Sequence, residues 1–220
     1  MRPGRTIPAN RRPDRSLAYI GLMALVLVPG LSLAQETPSL EQARAHLHQL
    51  TDVECDRRNN PNLIRQDRVV VMSSAGGMST NLFDLYCDNA GAQKTRVFLV
   101  WTTFGRRFRL LHVARPVYSL RYKDEAIAVE IAEPVVVTGF ETLAAIPNGK
   151  FDPESLTLRS DIPWGQQGDA GEYGQWRWNH ATGRFDLASY IVDPHHESNL
   201  DPARREAWAG KVIRLFPFGT

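Results

Sequence analysis

The chain is short of the residues and spacings from which most catalytic sites are recognised. It holds two cysteines and six histidines in 220 residues. No H-E-x-x-H or H-x-x-x-H spacing is present, which removes the common helix-borne zinc pairs. There is no G-x-S-x-G nucleophile elbow and no G-K-[ST] ending to a glycine loop, so neither a hydrolase elbow nor a P-loop is encoded. Charge of one sign is not in excess, since 26 Lys and Arg face 24 Asp and Glu. The apolar run Leu17 to Val28 stops at Pro29-Gly30, short of the roughly 20 residues that span a bilayer. Residues 35–220 contain no internal repeat, low-complexity tract or Pro- or Ser-rich linker, and therefore read as one domain.

The first 34 residues do carry a message, and it is export. Arg2, Arg5, Arg11, Arg12 and Arg15 make a basic start, Leu17 to Val28 an apolar centre, and Ser32-Leu33-Ala34 a small-residue cleavage pattern. Pro13-Asp14 after Arg11-Arg12 favours general secretion over a twin-arginine signal, and no cysteine stands at the cleavage point to take a lipid. Cleavage after about Ala34 is expected to leave residues 35–220 in the periplasm or outside the cell, with no membrane span. That segment holds five arginines against one aspartate, so its removal moves the formal charge from +2 to −2. The basicity belongs to the signal, and nucleic acid is not an expected partner. In an oxidising compartment Cys55 and Cys87 are expected to form a disulfide, the alternative being two separate buried thiols.

The mature chain opens on a helix signal. Pro38 suits a first turn, Ser39-x-x-Gln42 has capping-box spacing, and Leu40, Ala43, Leu47 and Leu50 fall on one face. His46 and His48 point to different sides of that helix and are poor candidates for a shared metal, the plainer reading being two solvated or rim histidines. From Asp67 the texture becomes short β-branched and aromatic runs. Arg68 to Ser73, Leu82 to Cys87, Arg96 to Thr102, Phe108 to Val113, Val117 to Tyr122, Ala126 to Ile131 and Pro134 to Phe140 read as strands at spacings near ten residues. Phe83, Leu85 and Cys87 share one strand face. Ser73 to Thr80 reads as a flexible loop, and Arg106, Arg107, Arg109, Arg115 and Arg121 as a solvated sheet face. Thr142 to Pro147 has no clear pattern.

Phe151 to Tyr190 is the densest aromatic stretch. Asp152-Pro153-Glu154-Ser155 is a turn, and Leu156 and Leu158 enter a strand. Trp176 and Trp178 share one side of a strand, Phe185 and Leu187 one side of the next, and the loop Asn179 to Gly183 joins them. Pairing puts the indoles opposite Phe185 and Leu187, with Gly183 in the left-handed conformation such loops need. Such aromatic sets also build sugar platforms, although in antiparallel sheets they more often form core. Asp201-Pro202-Ala203 to Trp208, stopped by Gly210, predicts a short C-terminal helix, and Lys211 to Phe216 a closing strand. The fold expected is mainly β: an antiparallel sheet sandwich or barrel-like single domain with an N-terminal helix and a short C-terminal helix.

Three constellations bear on chemistry. Asp193-Pro194-His195-His196-Glu197 has metal-capable side chains, but adjacent ligands in one short loop rarely close a coordination sphere, and a surface loop is the plainer reading. Asp152, Glu154, Asp161, Asp169 and Glu172 supply carboxylates near the tryptophans, as a glycosidase acid and base would require. The cysteines have a better use in a bridge than as nucleophiles.

Phe151-Asp152-Pro153-Glu154, Gly168-Asp169-Ala170-Gly171 and Gly174-Gln175-Trp176-Arg177-Trp178, followed by Phe185-Asp186-Leu187 and Tyr190, resemble an exported bacterial family known as domain of unknown function 1176. The resemblance covers roughly the last third of the chain. Members carry one cysteine in the G-D-x-G turn and another after the F-x-L strand. Here Ala170 takes the first place, and Ile191 to Thr220 contains no cysteine, so that bridge is absent. The resemblance implies an exported, sheet-rich protein and transfers no catalytic residue.

The function expected is therefore a non-enzymatic module binding a periplasmic or envelope partner or a small ligand, with no catalytic residue, metal or cofactor. Trp164, Asp169, Glu172, His195 and His196 are its candidate binding residues. The alternatives are a cell-envelope glycan hydrolase using the Asp152 to Glu172 carboxylates, and a proteinaceous enzyme inhibitor.

Overall fold

The structure, a computed structural model, describes residues 37–50, 66–75, 78–88, 94–164, 168–196, 199–200 and 211–217. The export segment, Cys55, Gly76-Gly77, Asn89 to Gly91, Gly165 to Gln167, Glu197 and the expected Asp201 to Gly210 helix lie outside the described residues.

The first element is the helix α1, Leu40–Gln49, and it starts as its sequence dictates. Ser39 Oγ accepts from the Gln42 N–H at 3.2 Å while Gln42 Oε1 accepts from the Ser39 N–H at 2.8 Å, a reciprocal capping box. Strands follow in the order β1 (Arg68–Ala75), β2 (Met78–Asp88), β3 (Lys94–Thr102), β4 (Arg107–Leu110), β5 (Val113–Ser119), β6 (Val136–Leu143), β7 (Ala145–Pro147), β8 (Lys150–Asp152), β9 (Thr157–Trp164), β10 (Ala170–Asn179), β11 (Arg184–Asp193) and β12 (Ile213–Phe216). All described pairings are antiparallel.

The strands form two five-stranded sheets and a ribbon. The first sheet runs β1-β2-β3-β4 with β7 on β3, the second β12-β11-β10-β9-β8, and β5 pairs with β6. They do not close into a barrel. One face of the first sheet, with Phe83, Leu85, Cys87, Val97 and Leu99, buries Ala43 and Leu47 of α1. Its other face, with Leu82, Phe98 and Val100, joins Leu158, Trp176, Trp178, Phe185 and Tyr190 of the second sheet in the main core. The period of two along β2 and β3 thus feeds two cores from opposite faces. Cys87 is fully buried beside α1.

Four expectations differ from the structure. Ala126 to Ile131 is not a strand, because Ala128 sits at φ 51° and only Tyr122 and Ile131 form a bridge; Val117 to Tyr122 likewise stops pairing as a strand at Ser119. Phe108 to Val113 is broken: β4 ends at Leu110, and Val113 opens the ribbon. Leu111 and Val113 are both buried in the main core, so the chain leaves the first sheet there to keep both inside. Ser73 to Thr80 is largely strand, with Ser73 opposite Thr80 and Ala75 opposite Met78. The unassigned Thr142 to Pro147 contains the end of β6 and all of β7.

Candidate functional site

The second sheet has two chemically different faces, and the alternation along β9 and β10 decides which side chain meets which. Inward go Glu172, Trp176 and Trp178, all buried. Trp176 lies opposite Leu187 and Trp178 opposite Phe185, as the spacing predicts, with a bulge at Gln175/Trp176. Gly183 takes φ 62° in the connecting loop. The Trp176 indole lies over Gly174, where a Cβ would meet its ring carbons, and its Nε1 donates to the Ala114 carbonyl at 2.7 Å. These two indoles are core, not a platform.

Glu172 is bound by partners on two strands, β5 and β11. Arg115 of β5 grips it twice, Nη2 to Oε1 at 2.6 Å and Nε to Oε2 at 3.0 Å, and Tyr190 of β11 donates its hydroxyl to Oε2. Arg115 also reaches Tyr190 Oη at 3.1 Å and Glu141 at 3.2 Å. Burial lowers the Arg115 pKa, but its hydrogen bonds and charge interactions with Glu172 and Tyr190 outweigh this and raise it overall. Burial first, and then the Glu172 charge and hydrogen bonding, hold the Tyr118 and Tyr190 hydroxyls well above the usual tyrosine range. Buried Tyr190 and half-buried Tyr118 therefore stay neutral in the fold at pH values where an unfolded chain, with tyrosine near 10, would ionise. Their contribution is fully present below about pH 10 and is lost as pH rises toward their folded values. Urea unfolding from about pH 8 to about pH 11 is expected to show stability falling steeply above pH 10, and Tyr190→Phe should make that fall shallower.

Two of the carboxylates a glycosidase would need point to opposite faces of the second sheet. Asp161 lies opposite Tyr173 on the outward face, whereas Glu172 points inward. Asp152 is half-buried at the end of β8, accepting from the Ser155 hydroxyl and the Glu154 N–H, which hold its carboxyl below the usual range. Glu154 is exposed in the turn that follows and Asp169 half-buried before β10.

Trp164 and His196 do meet, while His195 turns to another partner. The Trp164 and His196 rings stack with centroids 6.4 Å apart, and Tyr122 meets His196 at 6.3 Å. Tyr122 Oη donates to the Pro194 carbonyl at 2.6 Å; burial, then the charges of Glu125 and Asp193, push its pKa up to about 12. His195 is buried with Nδ1 2.6 Å from the Val129 carbonyl oxygen, and the His196 N–H donates to the Ala128 carbonyl at 3.2 Å. This cluster fastens the 121–132 excursion over the end of β11. Among the described residues no group of three or more His, Cys, Asp or Glu stands close enough to hold a metal ion. No helix among them is long and apolar enough to cross a membrane.

The outward face of the second sheet holds a groove of about 310 Å³ lined by residues that sequence reasoning did not single out, among them Lys150, Arg159, Tyr173, Gln175 and Ser189, together with Asp161. Two rows of side chains make its floor. Lys150 stands opposite Arg159, Arg159 opposite Gln175 and Gln175 opposite Ser189, one donor-bearing side chain from each of four neighbouring strands. Beside them run Asp161, Tyr173 and Ile191, again directly opposite one another. Tyr173 is 42 % exposed. Asn148, at φ 47°, closes one end by donating to the Asp161 carbonyl at 2.8 Å. The polar alternation of β9 could have pointed to this face, but only the register of the three-residue strand β8 puts Lys150 beside Arg159.

A second hollow, of about 250 Å³, lies between Thr37, Pro38, Gln42, Trp101 and Phe108 and has no charged lining. No protein-family model matches the chain, and no curated protein or solved structure is significantly similar to it.

Proposed function

We propose that the chain is an exported, non-enzymatic module that binds a ligand on the outward face of its second sheet. The groove carries this reading: it joins exposed cations, neutral hydrogen-bonding groups and an aromatic ring on one rigid four-stranded floor. The placement of Asp161 and Glu172 on opposite sheet faces supports binding over glycan hydrolysis by that pair. Export rests on the arginine-rich, apolar start ending at Ala34, and on the resemblance of Phe151 to Tyr190 to an exported family. The Cys55–Cys87 disulfide and a sandwich-like packing of the two sheets belong to the same proposal. Mass measurement of the secreted chain before and after reduction tests both the cleavage site and the bridge.

Calorimetric titration with soluble cell-wall glycan fragments tests the function. Binding without release of new reducing ends is expected, and Tyr173→Ala should weaken it about tenfold by removing the exposed ring. Turnover of the fragments, or binding indifferent to Tyr173→Ala, would overturn the reading.

A further inference from the structure

We infer that the ligand of this groove is an acidic saccharide, with a carboxylate seated between Lys150 and Arg159. The inference rests on the groove being the binding face. Its starting point is an arrangement the fold does not need: two cations directly opposite each other on an exposed sheet face. Like charges in that position repel and destabilise a sheet. Neither Lys150 nor Arg159 is in an ion pair among the described residues. Asp152 feels the Arg159 charge, but its carboxylate is held by Glu154 and Ser155 in the β8–β9 turn. An anion between the two cations would convert the repulsion into charge-assisted hydrogen bonds. Expected net charge does not explain the pair, because residues 35–220 sum to −2.

The remaining groups say what carries the anion. Beyond the cations the row continues into the Gln175 amide and the Ser189 hydroxyl, neutral groups that suit sugar hydroxyls. Four strands spaced 4.7–4.9 Å apart make this row roughly 14 Å long, an extended rather than a point-like site. Tyr173, in the adjacent row, offers an aromatic face, with the exposed Asp161 carboxylate beside it as an acceptor. An acidic peptide fits less well. Peptides commonly add to a sheet through an unpaired strand edge. Here β10 is paired on both sides throughout the groove, so the middle of its floor offers side chains and not a free strand edge.

The test compares trigalacturonate, its methyl ester, neutral maltotriose and triglutamate as ligands for the mature chain, at low and physiological salt. Trigalacturonate is expected to bind at least tenfold more tightly than its ester or maltotriose, with affinity falling as salt rises. Lys150→Gln with Arg159→Gln should abolish that preference without lowering the melting temperature, since it also relieves the repulsion, and Tyr173→Ala should weaken every saccharide. Equal affinity for acid and ester, with Tyr173→Ala still weakening both, would overturn the carboxylate and leave the groove standing. Tighter binding of triglutamate would overturn the saccharide. No binding of any of the four, or binding indifferent to Tyr173→Ala, would overturn the groove itself.

Discussion

Trp176→Ala is expected to remove about 3–5 kcal/mol of folding stability, the range for truncating a buried tryptophan and leaving its cavity. The side chain is 1 % exposed and sits where the second sheet, the ribbon and the first sheet share one core. It makes specific contacts with the first two. Its ring lies over Gly174 in its own strand, its edge meets Tyr190 at 6.4 Å, and its Nε1 ties the sheet to the Ala114 carbonyl of the ribbon. The substitution therefore opens a void and leaves a half-buried carbonyl without its donor, two costs that add. Urea unfolding checks the magnitude. A loss below about 1 kcal/mol would mean that the ribbon is held to the sheet by other contacts.

Arg115→Met is expected to cost about 3 kcal/mol by leaving the Glu172 carboxylate buried without its counter-charge. Glu172 is 3 % exposed, so water cannot readily replace the guanidinium. The partner substitution separates this cause from simple loss of packing. Arg115→Met combined with Glu172→Leu removes both charges and should recover most of the loss, because apolar replacement of a whole buried pair is often neutral. Recovery will fall short of complete, since Tyr190 loses its acceptor. If the double variant is as unstable as the single, the stranded charge is not the cause.

A similar charged cluster lies between the first sheet and β8, where Arg68 and Arg96 hold buried Asp84 at 2.8 and 3.2 Å. Burial raises the Asp84 carboxyl above its usual range, against the pull of the two arginines. Arg68 also donates to the Phe151 carbonyl at 2.6 Å, so this cluster joins β1 to β8. The Glu172 and Asp84 clusters thus bind elements that share no backbone pairing, which is a reason to expect them to set the relative placement of the strands.

What could be read from the sequence was local. The α1 cap needs only residues three apart, Ser39 and Gln42, and the β10–β11 hairpin needs only a period of two around a glycine loop. Both came out as the spacing predicts. The Ala126 to Ile131 segment shows where that reasoning stops, because small and branched residues on both faces look strand-like until one of them takes a left-handed backbone. Of the candidate site residues, Glu172 could not be judged from its neighbours. Its partner Arg115 lies 57 positions earlier, on a ribbon whose docking depends on the bend at Leu111. Trp164 and His196 likewise meet from well-separated positions, with His196 held in turn by Tyr122 and the Ala128 carbonyl of the 121–132 excursion. The Lys150 and Arg159 pair is nine residues apart, yet recognising it requires the register of a hairpin whose first strand has three residues.

The central claim is that the outward face of the second sheet binds and does not cleave. Amide chemical-shift mapping of the mature chain during titration with an acidic cell-wall glycan tests it most directly. The expected result is a set of shifts confined to Lys150, Arg159, Tyr173, Gln175, Ser189 and Ile191, with the glycan recovered at its starting length. Shifts centred instead on Trp164, Asp169 and His196, or a shortened glycan, would contradict the account.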